Sequence, residues 1–380
     1  MKGFKLYVTA LACCLAATAL HSCGGGKTGA AFAGGGERDS LEYAVGLGIE
    51  RCDGYVCVTV RDPWDTLKVR QRYLLVDRDA PEPDELPEGT IIRIPILRAA
   101  VYTSVHSSLV EQIGCLENIC GVCDVPYLTS GIVRKAVADG SIADLGSSTS
   151  PDIEQIIDLQ AEIIIASPLE NLSYGAAEKI GVPIVEAADY MENHPLGRTE
   201  WVKFFGLLFG REALTDSLYN ATAAHYKQLK DLAASADRKP SLLLEMKYGP
   251  SWGVPSGVSY IGVLQADAGA NYIFRDISRS SGCVQLSMEE VFDKAGDADF
   301  WLFKYNAPDE ITYDGLQADC PMYAKFKAFR EKRIYACNSN DNPYYDDVTL
   351  HPDLILEDLI AIYHPGILSD HVFRYYRPLR

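Results

Sequence analysis

Short apolar runs alternate with amphipathic stretches along most of the chain, and this alternation occurs twice. In the first half the predicted strands are TIIRIPI, CGVCD, AEIIIAS and VPIVEA, with helices such as SVHSSLVEQIG and PDIEQIIDLQ between them. After residue 238 the strands SLLLEMK, DFWLFKY and RIYACN alternate with helices such as SMEEVFDKAG. Apolar strands alternating with helices are typical of parallel sheets covered on both faces. The pattern therefore predicts an α/β fold with two Rossmann-like lobes, at residues 91–210 and 237–380.

A stretch without Gly or Pro, residues 211–236, separates the two lobes. Spacings of three and four define one face of a helix here, formed by Leu214, Leu218, Ala221, His225, Leu229 and Leu232. A continuous helix of this length would span ~39 Å at 1.5 Å per residue. We predict that it joins the lobes, with a ligand cleft between them, and that His225 is a packed, hydrogen-bonded residue rather than a ligand.

The first 38 residues indicate export. Lys2 and Lys5 precede an apolar run from Leu6 to Leu20, and a short apolar run after a charged start is typical of a secretory signal. The run ends in LHSC, which resembles the lipobox of bacterial lipoproteins, where the cysteine is acylated. We therefore predict a signal peptide at residues 1–22, lipidation at Cys23 and a tether at residues 23–38, with simple secretion as the alternative. The protein would be exported and lipid-anchored in the bacterial cell envelope, facing the periplasm.

Residues 39–90 precede the alternating pattern and are predicted to form an N-terminal β extension, to which the sequence assigns no role. Two strand-forming stretches, LGIERCDGYVCVTVRDPW and RQRYLLVDRD, are followed by the acidic, Pro-rich connector APEPDELPEG. Cys52 and Cys57 flank a turn within the first stretch that could bring them together.

The net charge bears on the kind of partner, and the cysteines bear on disulfides and metal clusters. With 52 acidic and 35 basic residues the formal net charge is −17 at pH 7, which argues against a nucleic-acid partner because phosphate contacts need a basic face. Eight of the 11 cysteines follow Cys23, an even number that permits disulfides in an oxidising compartment without giving their connectivity. CLENICGVC matches part of a plant-type ferredoxin spacing, but buried thiols or a local disulfide suit a helix end that runs into a strand better.

Residues 248–260, YGPSWGVPSGVSY, place large aromatic side chains among Gly, Pro and Ser. Gly249, Gly253 and Gly257 permit positive φ, while Pro250 and Pro255 withhold backbone donors. We therefore predict a loop here, neither a helix interior nor a regular central strand.

The order of signal and lipobox, α/β lobe, long helix and second α/β lobe resembles the class III periplasmic substrate-binding proteins of ABC importers, which bind ferric siderophores, haem or cobalamin. Four segments are similar to parts of that family: SSTSPDIEQIIDLQAEIIIAS, GVPIVEAADYMENHPLGRTEWVKFFGLLFG, WGVPSGVSYIGVLQADAGANYIF and SMEEVFDKAGDADFWLF. Ala161 and Glu162 stand where Pro-Asp is usual, and the resemblance covers residues 90–380. It implies a monomer that binds a transported chelate, a ferric siderophore before cobalamin or haem, and passes it to a permease without catalysis or a cofactor.

The resemblance also places the ligand between the lobes, against loops at the carboxyl ends of strands. Aromatic rings would offer flat apolar surface to a large chelate, and Arg279 and Lys304 could neutralise an anionic one. The alternative roles are structural: packing for the Trp and Tyr side chains, capping for Ser and Thr, and solvated surface for the charged residues. The ligand-binding residues expected on this basis are Tyr102, Thr103, Asp124, Tyr127, Tyr248, Trp252, Ser259, Tyr260, Arg279 and Lys304.

In the same family each lobe presents a glutamate to the permease, and the matching positions here are Glu154 and Glu289. An S-x-x-E capping box at residues 287–290 would leave Glu289 pointing outward. In lobe one Ser150 is the predicted cap, and Asp152 is a rival to Glu154. Each acid also has a structural reading, because the helix dipole favours acids in the first turn.

Other classes of function are less well supported by the sequence. It contains no G-x-S-x-G elbow, P-loop or metal-spaced histidine cluster, so we predict neither an enzyme nor a resident metal site. A zinc- or manganese-binding lipoprotein would need several converging histidines, whereas the seven histidines here are scattered. A cell-envelope adhesion or assembly lipoprotein, using the aromatic stretch against a partner surface, is the alternative from a different class.

Overall fold

A computed structural model describes residues 36–277 and 282–380. The predicted signal peptide, the lipidation site Cys23 and the candidate ligand residue Arg279 lie outside these ranges. Within them, no helix combines the length and the apolar character needed to cross a membrane.

The described chain begins with a five-stranded sheet, here called the N-terminal sheet, whose strands follow one another in chain order. They are β1 (Glu37–Arg38), β2 (Leu47–Cys52), β3 (Tyr55–Arg61), β4 (Val69–Asp77) and β5 (Thr90–Ile94). The first four pair antiparallel, whereas β4 and β5 pair in parallel. The predicted strand TIIRIPI therefore belongs mainly to this sheet and not to lobe one, so the extension continues beyond residue 90.

Cysteine positions in this sheet correct one expectation. Residue Cys52 lies opposite Tyr55, and Cys57 lies opposite Glu50, so the turn does not place the two cysteines across from each other. All eight cysteines that follow Cys23 are in the described ranges, and all are free thiols.

Lobe one is built on a parallel sheet with the strand order β12-β11-β6-β7-β8. Its strands alternate with helices as predicted, and β11 is buried along its whole length, as expected for a strand covered on both faces. The elements are β6 (Ala99–Val101), α1 (Ser104–Gln112), β7 (Ile119–Val122), α2 (Gly131–Ala138), β8 (Ala143–Asp144), β9 (Gly146–Ser147), β10 (Ser150–Pro151), α3 (Ile153–Asp158), β11 (Ile163–Ala166), β12 (Ile184–Glu186), α4 (Pro195–Glu200) and α5 (Val202–Phe209). Short 3-10 turns lie at Leu116–Asn118, Val125–Tyr127, Gly175–Lys179 and Asp189–Met191.

The long helix α6 (Glu212–Ala234) follows lobe one and confirms the predicted connection. Its 23 residues span about 35 Å at 1.5 Å per residue. The helix face picked out by the spacing is not the one that packs, because Leu214 and Leu232 are exposed. The face that is buried consists of Thr215, Tyr219, Thr222, Ala223, Tyr226, Leu229 and Ala233.

Hydrogen bonds explain why this more polar face is buried. The Thr222 hydroxyl donates to the Leu350 carbonyl at 3.2 Å, and the Tyr226 hydroxyl donates to the Asp267 carboxylate at 2.9 Å. A buried hydroxyl that has a partner avoids most of the cost of losing water. His225 is half-buried with Nδ1 2.8 Å from Asp353 Oδ2, which confirms the expected hydrogen-bonded histidine.

Lobe two contains a second sheet with the order β16-β13-β18-β19-β20, parallel except for β20. A separate antiparallel sheet is formed by β14, β15 and β17, which lie between β13 and β18 along the chain. The elements are β13 (Ser241–Leu244), β14 (Lys247–Tyr248), β15 (Ser251–Pro255), α7 (Tyr260–Asp267), β16 (Asn271–Tyr272), β17 (Cys283–Leu286), α8 (Met288–Ala295), β18 (Phe300–Tyr305), α9 (Tyr313–Asp319), α10 (Lys327–Arg330), β19 (Ile334–Asn338), α11 (Tyr344–Asp347), α12 (Pro352–Tyr363) and β20 (Arg377–Pro378). One 3-10 turn lies at Pro321–Lys325.

The stretch predicted to be a loop contains β15, the middle strand of this small sheet. The prediction failed because both prolines occupy positions that a strand tolerates. Pro250 lies with Gly249 in the two-residue turn between β14 and β15, and Pro255 is the last residue of β15. Gly249 has a φ of 58°, which the turn needs and which glycine adopts without steric cost.

The two lobes also touch directly. Helices α1 of lobe one and α11 of lobe two pack together. The Ser108 hydroxyl donates to Asp346 at 2.5 Å, and the Thr129 hydroxyl donates to the same carboxylate at 2.7 Å. The lobes are therefore held by these contacts as well as by α6.

Candidate functional site: cavities at the edges of the two lobes

A cavity of about 400 Å³, here called the lobe-one cavity, lies at the carboxyl end of β6 and β11. Tyr102 and Thr103 line it together with residues 148–151 and 172–176, so the structure brings these two predicted residues together. Thr103 caps α1 and its hydroxyl lies 2.8 Å from His106 Nδ1. The Tyr102 hydroxyl is buried, has no hydrogen-bond partner in the described part of the chain, and has its pKa raised by burial.

Asp124 supports this cavity without lining it. Its backbone is left-handed, with a φ of 55°, and its carboxylate accepts hydrogen bonds from the backbone N–H and the hydroxyl of Ser148. Ser148 lines the cavity. The structure thus gives Asp124 a positioning role at the predicted wall.

A second cavity of about 560 Å³, the inter-lobe cavity, has walls from three parts of the chain. The N-terminal sheet contributes Trp64, from the turn between β3 and β4, and lobe one contributes Glu170 and residues 190–193. Lobe two contributes Glu245, Pro255, residues 259–261, Gly282, Cys283 and Lys304. Aromatic and apolar side chains are common among these residues, and the charged side chains in this described lining are three glutamates and one lysine. Glu170 also lies between Leu169 and Leu172, which line the lobe-one cavity, so one loop borders both spaces.

Lys304 lies at the inter-lobe cavity, but its charge is already compensated. Its ammonium group donates to the Glu245 carboxylate, and both side chains are largely buried. Burial opposes the charge, yet the adjacent carboxylate keeps the pKa of Lys304 well above its ordinary value. The expectation that Lys304 is available to neutralise an anionic chelate is therefore not supported.

The backbone of Glu245 is left-handed, with a φ of 61°, directly after β13. A residue other than glycine in this region costs of order 1–3 kcal/mol, and such residues cluster at binding sites. The Glu245 carbonyl accepts a hydrogen bond of 2.7 Å from Trp301 Nε1, which helps to hold this conformation.

Two further predicted residues line the inter-lobe cavity. Ser259 caps α7 by accepting from the Gly262 N–H, which is the structural role considered as its alternative. Tyr260 is largely buried, its hydroxyl donates to the Val348 carbonyl at 3.3 Å, and the Arg198 guanidinium carbon lies 5.7 Å from its ring centre. Burial raises the pKa of Tyr260 to about 12, so its hydroxyl keeps its proton at neutral pH.

Trp252 does not face either cavity, which corrects the prediction for this residue. Its side chain is 0% exposed, packs against Trp301 and Phe326, and donates from Nε1 to the Leu244 carbonyl at 2.9 Å. Because β15 is a strand and not a loop, the ring turns into the core of lobe two. Tyr248 and Tyr127 are 91% and 73% exposed and line neither cavity.

Sequence reasoning missed Trp64, Tyr190, Glu245 and Cys283 at the inter-lobe cavity. Trp64 carried a usable signal, since the turn sequence RDPWDT places a Trp next to a Pro, as residues 248–260 place aromatic side chains among Gly, Pro and Ser. Glu245 carried none, because only the fold brings its carboxylate to Lys304. Within the described ranges, no three His, Cys, Asp or Glu side chains come close enough to hold a metal ion.

The sequence profile of a family described as periplasmic binding protein matches residues 101–340. The chain belongs to that family. This periplasmic binding protein is 28% identical over 316 residues to an uncharacterised lipoprotein of Methanocaldococcus jannaschii, covering 78% of this chain and 73% of that protein.

Solved structures show the same fold. One is the apo form of a periplasmic haem-binding protein from Roseiflexus, at 20% identity, a TM-score of 0.56, and coverage of 71% of this chain and 98% of that chain. Another is a Vibrio cholerae siderophore-binding protein with Fe³⁺–Desferal bound, at 17% identity, a TM-score of 0.53, and coverage of 70% and 99%. The two-lobed architecture is that of class III binding proteins of ABC importers, whose members bind small ligands and work with membrane permeases.

The binding protein presents both candidate docking acids at helix starts. Glu289 is exposed in the first turn of α8, and the predicted capping box between Ser287 and Glu290 is confirmed, with hydrogen bonds of 2.8 and 3.2 Å. In lobe one the cap is Asp152 and not Ser150, which lies in β10. Since capping engages the Asp152 carboxylate, the exposed Glu154 is the freer acid of that helix.

Proposed function

We propose that this protein captures a ferric siderophore in the inter-lobe cavity and hands it, chemically unchanged, to the permease of an ABC importer. The observation that carries the proposal is an aromatic cavity between the lobes of a periplasmic binding protein, lined by Tyr190 and Tyr260 among others. Its volume of about 560 Å³ lies within the ~300–1,000 Å³ typical of small-molecule sites. The Tyr102 hydroxyl in the adjoining lobe-one cavity is buried and has no partner among residues 36–277 and 282–380, so it is a further group that a ligand could satisfy.

The charges of the cavity favour one type of siderophore. Lys304 is neutralised by Glu245, and the other charged lining residues of the described chain are Glu170 and Glu192. Among the described lining residues, a triply anionic tris-catecholate complex, or the two carboxylates of haem, would meet no unpaired lysine or arginine, and a buried charge without a partner is costly. Three hydroxamates balance the charge of Fe³⁺, so a ferric trihydroxamate is neutral or carries only the charge of its chain ends. This is the ligand class we infer.

Binding to a panel tests the proposal. The mature protein is titrated by calorimetry with ferric desferrioxamine B, a ferric tris-catecholate, cyanocobalamin and haemin, with metal-free desferrioxamine B as the control. We expect the ferric trihydroxamate to bind most tightly, with a Kd below ~10 μM, which corresponds to about 6.8 kcal/mol. If no member of the panel binds more tightly than that, the proposed function is wrong.

We also propose that the protein is lipid-anchored through Cys23 and that Glu154 and Glu289 contact the permease. The lipoprotein designation of the M. jannaschii relative supports the anchor. The exposed positions of the two acids, one on each lobe, support the docking role. Both acids remain available because neighbouring residues, Asp152 and Glu290, make the capping hydrogen bonds.

A further inference from the structure

The N-terminal sheet lies outside the part of the chain that matches the family, yet it reaches the inter-lobe cavity. The family match begins at residue 101, whereas the sheet ends at Ile94. Trp64, in the turn between β3 and β4, is the residue of this sheet that lines the cavity. The sheet therefore adds a large aromatic side chain to walls that otherwise come from the two lobes.

The turn that carries Trp64 is fixed by its own hydrogen bonds. The Asp62 carboxylate accepts from the Trp64 N–H at 2.9 Å and from the Asp65 N–H at 3.2 Å. The backbone of Asp62 and Lys68 closes the turn with a bond of 2.9 Å, and Pro63 restricts φ directly before Trp64. The backbone of Trp64 is thus set independently of any ligand, which lowers the entropy cost of a contact made there.

Trp64 is also held against lobe one. The Arg70 guanidinium carbon lies 5.5 Å from the Trp64 ring centre, within the range of a cation–π contact. Arg70 in turn donates two hydrogen bonds, of 2.6 and 2.8 Å, to Glu186 at the end of β12. The ring is therefore positioned relative to the sheet of lobe one as well as to its own turn.

Exposure separates Trp64 from the other tryptophans of the chain. Trp201, Trp252 and Trp301 are each 0% exposed, and each donates from Nε1 to a protein oxygen. Trp64 is partly exposed, and the space it borders is the inter-lobe cavity. Three of the four tryptophans are core residues, and Trp64 is the one that borders the inter-lobe cavity.

We propose that Trp64 contacts the transported chelate, so that the N-terminal sheet forms a third wall of the binding site. The proposal rests on the proposed function, namely that the inter-lobe cavity holds a ferric trihydroxamate. The methylene segments between hydroxamates provide the apolar surface that an indole ring covers well. The N-terminal sheet would then determine specificity, by favouring chelates that carry exposed methylene segments.

The test uses the gallium(III) complex of desferrioxamine B, which matches the ferric complex in charge but does not absorb tryptophan emission. The mature protein is titrated by calorimetry as the unmodified chain and as the variants Trp64→Ala, Trp64→Phe and Leu67→Ala. Leu67 is the matched control, because it lies in the same turn, is 74% exposed and does not line the cavity. We expect Trp64→Ala to weaken binding at least tenfold, Trp64→Phe to stay within about threefold, and Leu67→Ala to bind as the unmodified protein does.

Fluorescence provides a second measurement that does not depend on the stability of Trp64→Ala. Ligand should shift the emission of the unmodified protein, and this shift should be lost in Trp64→Phe, because the remaining tryptophans are buried. If the unmodified protein binds the complex but Trp64→Ala binds equally well and Trp64→Phe keeps the emission shift, Trp64 is not a ligand contact. If the unmodified protein binds no chelate of the panel, the proposed function fails and this proposal fails with it.

Discussion

Arg70 joins the N-terminal sheet to lobe one through a buried ion pair, and Arg70→Met tests how much that pair contributes. The substitution keeps an aliphatic side chain but removes both N–H donors to Glu186, which is 1% exposed. Gln71 Nε2 at 3.2 Å and the Tyr174 hydroxyl at 3.0 Å would remain as its partners. The variant therefore leaves a buried carboxylate with hydrogen bonds but without a compensating charge.

Removing one partner of a buried ion pair typically costs 3–5 kcal/mol. Because two donors remain and the Arg70 side chain is one-fifth exposed, we expect the lower end, a loss of about 3 kcal/mol in the free energy of unfolding at pH 7. The double variant Arg70→Met/Glu186→Gln should recover most of this loss, since it leaves no unpaired charge.

Urea unfolding followed by circular dichroism measures these differences, with the m-value checking that the unfolded state is unchanged. A loss below ~1 kcal/mol in Arg70→Met would mean that the pair hardly stabilises the fold. A loss that persists undiminished in the double variant would show that packing of the arginine stem, and not its charge, is what matters.

Three further predictions follow from the described contacts. The double variant Glu154→Ala/Glu289→Ala should preserve ligand affinity but abolish uptake through the cognate permease, and normal uptake would disprove docking through these acids. The control variant Glu290→Ala should lose about 1 kcal/mol of stability, because its capping box is removed, and should still support uptake. Small-angle scattering curves with and without ligand should nearly superimpose, because α6 is continuous and Asp346 ties the lobes together, and a large compaction would contradict this. Burial lowers the pKa of His194, whose Nδ1 accepts a hydrogen bond from a backbone N–H. The folded state therefore disfavours protonation of this side chain, so the free energy of unfolding should fall as pH drops below ~6.5, by at most about 1.4 kcal/mol per pH unit. His194→Asn, a capping residue that does not titrate, should reduce that slope, and an unchanged slope would exclude His194 as its source.

The alternation of strands and helices could be predicted from local sequence because each lobe buries its strands in a regular pattern. The face of α6 could not be predicted in this way. The partners that make Thr222 and Tyr226 suitable for burial are Leu350 and Asp267, which lie far away in sequence. A pattern limited to one helix shows its apolar residues but not the acceptors that other elements provide.

The same limit explains the outcome at the candidate site. β15 was predicted as a loop because its Gly and Pro content is unusual, whereas its pairing with β17 across about thirty residues decides its conformation. Once that strand forms, Trp252 turns inward and Tyr260 remains at the inter-lobe cavity. Tyr102 and Thr103 were easier to place, because residues after a parallel strand lie at the carboxyl edge of the sheet.

The N-terminal sheet shares its apolar interior with lobe one, and this affects where the protein can be cut. Val58 and Tyr73 belong to the same buried cluster as Val101 and Phe204, and the rings of Tyr73 and Phe204 stack with their centres 5.9 Å apart. A fragment trimmed to the family boundary at residue 101 would expose this apolar surface to water, which favours aggregation. The smallest piece that can fold alone is thus larger than the piece that sequence similarity marks out, and fragments for crystallisation or ligand screening should begin before β2.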